Sequence, residues 1–79
     1  MSIHVKYYGM LAEITGQAEE VWTASGNLSV GGFRALVLAK YPELQGKKFK
    51  VAVNQKISED FAQIDTQAEV ALLPPFAGG

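Results

Sequence analysis

The run Pro74-Pro75-Phe76-Ala77-Gly78-Gly79 holds the residues whose types and order could do chemistry. Two consecutive prolines fix their backbone near extended polyproline geometry and supply no N–H to a ladder, so the segment should leave a sheet stiffly. Six extended residues reach about 20 Å. Ala77, Gly78 and Gly79 add almost no side-chain bulk, so this backbone could enter a narrow channel end first, with the Gly79 carboxylate as its reactive tip. Phe76 follows the prolines, where an aromatic ring has little of its own domain to bury against, and it reads as a partner contact. A frayed terminus can also be rich in glycine. It does not require two prolines and an aromatic residue placed directly after an apolar strand.

Other residues carry weaker chemistry. His4 could serve as a general base, but no Ser, Cys or acid is clustered with it in sequence. Glu19-Glu20, Glu59-Asp60 and Asp65 with Glu69 could act as paired carboxylates, yet their scattered positions in turns and strand ends read as solvated charge. Trp22, Phe33 and Tyr41 fit core packing better than an aromatic binding face. Lys47, Lys48 and Lys50 read as a solvated strand face that could meet an acidic protein partner. There is no cysteine, which excludes disulfides, thiolate catalysis and persulfide carriage. No metal site is expected.

The elements that must position the tail belong to one small domain. A chain of 79 residues buries roughly 60 to 65 per cent of its unfolded surface, enough for a single core. Apolar residues make up 48% and charged residues 19%, a globular balance. Seven basic against eight acidic side chains give a net charge of -1, so no field is available to hold nucleic acid. No apolar run approaches the ~20 residues of a membrane span, and Met1-Ser2-Ile3-His4 lacks the order of a signal peptide. A cytoplasmic protein with no membrane association is expected.

Ile3 to Tyr8 alternates with period two and predicts a first strand; Met10 to Thr15 has room for one helical turn, stopped by Gly16. Glu19 to Ala24 reads as a second strand, followed by turn residues Ser25, Gly26 and Asn27. Ser29 can cap a helix to about Tyr41, with Val30, Phe33, Leu36, Val37 and Tyr41 as its apolar stripe. Gly31 and Gly32 weaken its first turn, so this end should either fray or lie against another surface. Phe49 to Val53, Lys56 to Ser58 and Glu69 to Leu73 complete the strands, the last suited to burial on both faces. The order β-β-α-β-β-β suggests an α+β fold of the β-grasp type, a mixed sheet packed on one main helix with first and last strands adjacent. Residues 1–73 would form the domain and 74–79 the tail. Val5, Phe33, Leu36, Val37, Val51, Val53, Val70 and Leu72 are the expected core. A ferredoxin-like alternative would need a second helix near Asp60 to Gln67.

The segment from Glu69 to Gly79 resembles the ending of the MoaD and ThiS sulfur carriers, which are ubiquitin-like β-grasp proteins, and its Pro-Pro pair resembles the molybdopterin synthase branch. Tyr8-Gly9-Met10-Leu11-Ala12-Glu13 with Gly16, and Val51-Ala52-Val53-Asn54, are similar to the family's first-strand exit and third strand. The resemblance spans nearly the whole chain, the tail being its specific part. It implies that an E1-like, MoeB-like enzyme spends ATP to adenylate Gly79 and that a sulfur donor displaces AMP to leave a thiocarboxylate. It further implies a MoaE-like large subunit, in a 2:2 heterotetramer, where the carrier gives sulfur to a cyclic pterin precursor of the molybdenum cofactor. Pro74, Pro75, Phe76, Ala77 and Gly78 would bind the partner, and the carrier itself would hold no cofactor. Three departures bear on partner preference: Gly9 stands where Ala is frequent, Ala12 where Arg is frequent, and Thr66-Gln67-Ala68 where Asp-Gly-Asp is common. Asp65 is then expected to supply an Asx-type turn. A ubiquitin-like modifier joined through Gly79 to a target Lys would use the same adenylation, and a thiazole-pathway carrier is a third possibility.

Overall fold

In the computed structural model, residues 2–23 and 26–75 are described. Strand β1 (Ser2–Tyr7) is followed by the short helix α1 (Met10–Thr15) and by β2 (Glu19–Thr23). A two-residue strand β3 (Leu28–Ser29) leads into α2 (Val30–Lys40), and a 3-10 turn (Pro42–Leu44) follows it. Strands β4 (Lys50–Val53), β5 (Lys56–Ile57), β6 (Gln63–Ile64) and β7 (Glu69–Leu73) complete the fold. The main sheet runs β2-β1-β7-β4-β5, while β3 and β6 form a separate pair. β1 and β7 lie parallel in the middle, with His4 opposite Glu69 and Tyr7 opposite Leu72; the other neighbours are antiparallel. This is the expected β-grasp. The region proposed for a second helix contains only the short β6, which removes the ferredoxin-like alternative.

Alternation decides which side of each strand enters the core. Ile3, Val5 and Tyr7 of β1 face α2 together with Val51, Val70 and Leu72, and all are buried. Ala71 is also buried on the opposite face of β7, as expected for a central strand. Val53 is half-buried at the core margin. From α2 come Val30, Phe33 and Val37, each with no exposed surface. Leu36 corrects the predicted stripe: it is 45% exposed. At about 100° per residue it sits roughly a quarter turn from the centre of that trio, and it lines a shallow groove with Val21 and Lys40 beside edge strand β2.

The glycines of the first turn of α2 lie against another surface. A Cβ on Gly31 would stand 3.3 Å from both the Cβ and the carbonyl oxygen of Asp60. The free amides of that turn are all engaged: Val30 donates to Ala62 O at 2.9 Å, Gly31 to Asp60 O at 2.9 Å and Gly32 to Ser29 Oγ at 3.0 Å. Side-chain bulk is excluded so that the Asp60 loop can close over the helix end. α1 ends at Gly16 with φ 75°, the left-handed stop expected there.

Two further readings need correction. Glu20 is no solvated charge: only 12% of its side chain is exposed, and hydroxyls of Tyr7 and Tyr41 donate to its Oε1 while Lys40 and Gln17 donate to its Oε2. The turn before β7 is closed by backbone, Ala68 N–H to Asp65 O at 3.2 Å, rather than by an Asx side chain. Gln67 takes φ 65°, the conformation for which Gly is better suited.

Candidate functional site

The site is built from the root of the tail and the sheet face beside it. β7 is the strand that delivers the tail, and its neighbours β1 and β4 fix it on both sides through continuous ladders. The last contact of the β1 ladder is Tyr8 N–H to Leu72 O at 3.2 Å. Beyond it Leu73 is half-buried, Pro74 is buried and Pro75 is exposed. The chain therefore does not simply leave the sheet at its first proline. Pro74 sits over the turn between β1 and α1, where a Cβ on Gly9 would stand 3.0 Å from Pro74 Cγ. Phe76, Ala77, Gly78 and Gly79, on which the chemistry was expected, lie outside the described residues.

Sequence reasoning did not single out Gly9 for this role. The signal was present in register: once β1 and β7 run parallel with Tyr7 opposite Leu72, two more residues bring Gly9 opposite Pro74.

On the face away from α2, a shallow depression of about 540 Å³ opens beside the tail root. Its floor is Ala52, Ala71 and Leu73, with Tyr8 and Ile57 at its sides and Lys6 and Lys50 on its rim. Ile57 is 58% and Tyr8 44% exposed, so apolar surface is offered to solvent where the tail begins. Glu69 approaches Lys6 Nζ at 3.3 Å; that carboxylate, by hydrogen bond and charge, raises the Lys6 amine above its ordinary value. The two lysine side chains on this rim suit an acidic partner surface. Of the proposed basic trio, Lys50 lines this face, while Lys47 and Lys48 are exposed in the loop before β4.

The remaining candidates do not join the site. His4 meets Glu19 at 3.3 Å across the β1–β2 ladder, an exposed pair that sequence spacing had not revealed. Glu59, Asp60 and Asp65 are exposed, and Asp60 pairs with Arg34 at 3.4 Å. Phe33 is core, with the Trp22 ring tilted against it at 5.2 Å and Tyr41 edge-on to Tyr7 at 5.9 Å. Among the described residues no group of three His, Asp or Glu could hold a metal ion. No helix among them is long and apolar enough to cross a membrane. Among the described residues the arrangement offers a fixed tail root beside an exposed, largely apolar face.

Comparison with known proteins agrees with this geometry. The chain is 28% identical over 83 residues to a molybdopterin synthase sulfur carrier subunit of Caenorhabditis briggsae, covering 100% of this chain and 99% of that one. Small archaeal modifier protein 1 of Haloferax volcanii superposes with a TM-score of 0.81 at 20% identity, covering 94% and 97% of the two chains. A chain from the complex of subunits 1 and 2 of the molybdopterin-converting factor of Helicobacter pylori superposes with a TM-score of 0.68 at 22% identity, over 100% of both. The model of the ThiS family matches residues 5–79, and with the β-grasp architecture, the Pro-Pro tail root and the full-length match to a sulfur carrier, the chain belongs to the ThiS family.

Proposed function

We propose that this protein is the sulfur-carrier subunit of a molybdopterin synthase, working through the carboxylate of Gly79. The observation that carries the reading is the tail itself, Pro74-Pro75-Phe76-Ala77-Gly78-Gly79, delivered by a central strand whose first proline is anchored on the domain. The full-length likeness to a molybdopterin synthase sulfur carrier supports the choice of pathway.

A carboxylate is a poor electrophile. An E1-like partner that spends ATP joins AMP to the Gly79 carboxylate and releases pyrophosphate; a sulfur nucleophile then forms the C–S bond as the acyl–O bond to AMP breaks. The resulting thiocarboxylate enters the active site of a large subunit and gives its sulfur to a cyclic pterin precursor. Two sulfurs make a dithiolene, so two carrier deliveries serve each product, and the family resemblance suggests a 2:2 heterotetramer as the assembly that makes them. The carrier supplies reach, slenderness and docking, and needs no bound cofactor or metal. The face bearing Ala52, Ala71 and Ile57 would dock on the partner while the tail is inserted, with Phe76 at the channel mouth.

The test is reconstitution with the adenylating enzyme, a sulfur donor and the large subunit. Deleting Gly78 and Gly79 should abolish pterin conversion while the circular dichroism spectrum and melting temperature stay unchanged, since the core lies upstream. Full conversion by the truncated chain would refute the reading. Isopeptide linkage of Gly79 to lysines of other proteins, without pterin product, would establish the modifier alternative.

A further inference from the structure

Gly9 has φ 58° and ψ −133°, a conformation essentially reserved for glycine. The Cβ it lacks would lie 3.0 Å from Cγ and 3.9 Å from Cδ of Pro74. The first of these distances is tighter than carbon atoms ordinarily keep, so the prolyl ring would have to give way by a few tenths of an ångström to admit an alanine side chain. Both sides of this contact are held firmly. Gly9 opens α1, accepting from Ala12 N at 3.1 Å, and α1 is pinned by Leu11, which has no exposed surface. Pro74 lies two residues beyond Leu72, which is equally buried and accepts through its carbonyl from Tyr8 N–H. A ring that lacks a donor cannot extend the ladder, so packing against Gly9 is what fixes the chain direction where hydrogen bonding ends.

We infer that Gly9 is a positioning residue for the tail of this chain: where the family frequently carries Ala, the side chain missing here is the seat of Pro74, and that seat sets the direction in which this chain leaves β7. The inference rests on the proposed use of Gly79 as the activated group. Leverage makes the seat matter. Five residues after Pro74 span about 17 Å when extended, so tilting the ring by ~10° would displace the tip by about 3 Å. A displacement of even ~1 Å at a reacting atom can cost on the order of a hundredfold in rate.

The test compares Gly9→Ala, Pro74→Ala and the double variant in ATP-dependent adenylation of Gly79 by the E1-like enzyme, reading kcat and KM separately. Gly16→Ala is the control, because Gly16 also has positive φ, 75°, but a Cβ there meets nothing within 4 Å. Gly9→Ala should lower kcat by roughly ten- to a hundredfold with KM changed less than about twofold, since the docking face is intact. Partial unfolding would instead raise apparent KM, and Gly16→Ala should leave kcat unchanged. In the double variant the loss should fall short of the product of the two single losses, because the ring atom that clashes is gone and only the backbone strain of Ala at φ 58° remains. An unchanged kcat in Gly9→Ala, or losses that multiply in the double variant, would overturn the inference. Residual dipolar couplings of the Phe76 and Ala77 amides, measured in the same proteins, read tail direction without any sulfur chemistry. If the wild-type chain is not adenylated at all, the proposed function fails and these couplings alone decide. A change of couplings in Gly9→Ala upholds the seat, and identical or vanishing couplings in both proteins reject it.

Discussion

Glu20 gathers four donors from three parts of the chain onto one carboxylate. The Tyr7 hydroxyl comes from β1, Gln17 Nε2 from the turn before β2, and Lys40 Nζ and the Tyr41 hydroxyl from the end of α2. Burial alone would push the carboxyl up, but the Tyr7, Lys40 and Tyr41 donors hold it down to about 2. Burial and the same carboxylate push Tyr7 and Tyr41 up, so both phenols remain protonated donors. Glu20→Gln should therefore cost on the order of 2 kcal/mol in chemical denaturation at pH 7. Because the folded-state pKa is lowered, the contribution is complete above the ordinary value of 4.5 and fades as pH falls toward 2. The gap between wild type and Glu20→Gln should close over that window; a gap independent of pH from 6 to about 2 would show that the charge is not responsible. None of this was legible in sequence, where Glu20 reads as half of an exposed acidic pair. Its partners in β1 and α2 lie 13 to 21 residues away, and only the folded sheet brings them together. Gly9 escaped for the same reason, since its neighbour Pro74 is supplied by the far end of the chain.

At the scale of the elements, period was legible and phase was not. Strands β1, β4 and β7 and helix α2 fall where alternation and three-to-four spacing place them, because those patterns reflect local geometry. The error at Leu36 is one of phase: a helix packed under a sheet buries a stripe whose width depends on how far the sheet extends, and here edge strand β2 does not reach over Leu36. Leu36→Ala should then cost less than about 1 kcal/mol, against roughly 3 to 5 kcal/mol for Phe33→Ala, which empties a fully buried site. Thermal or urea unfolding of the two variants checks this, and equal costs would mean that α2 is rotated from the described orientation. The two short strands β3 and β6 were missed because a two-residue pairing has no period to read. The Thr66-Gln67-Ala68 turn departs from the glycine-containing pattern by placing Gln67 in the left-handed region, a local cost that sequence alone could flag but not locate.

At the scale of the molecule, the β-grasp topology places the chain's last strand parallel to its first in the middle of the sheet. The tail therefore starts from the most constrained part of the domain, beside an exposed apolar face rimmed by Lys6 and Lys50. That juxtaposition suits a protein that is gripped by its face and used by its end. On the proposed function the lack of cysteine is no handicap: activation would be supplied by the partner, and the carrier would present only its own carboxylate. The most direct test of this central claim is the intact mass of the chain after incubation with ATP, an E1-like adenylating enzyme and a sulfur donor. Replacing one oxygen of the Gly79 carboxylate by sulfur should add about 16 Da, confined to a C-terminal fragment. The gain should persist in His4→Ala and vanish when one residue is appended after Gly79. An unchanged mass in the wild-type chain, or the same gain in the extended one, would contradict the account.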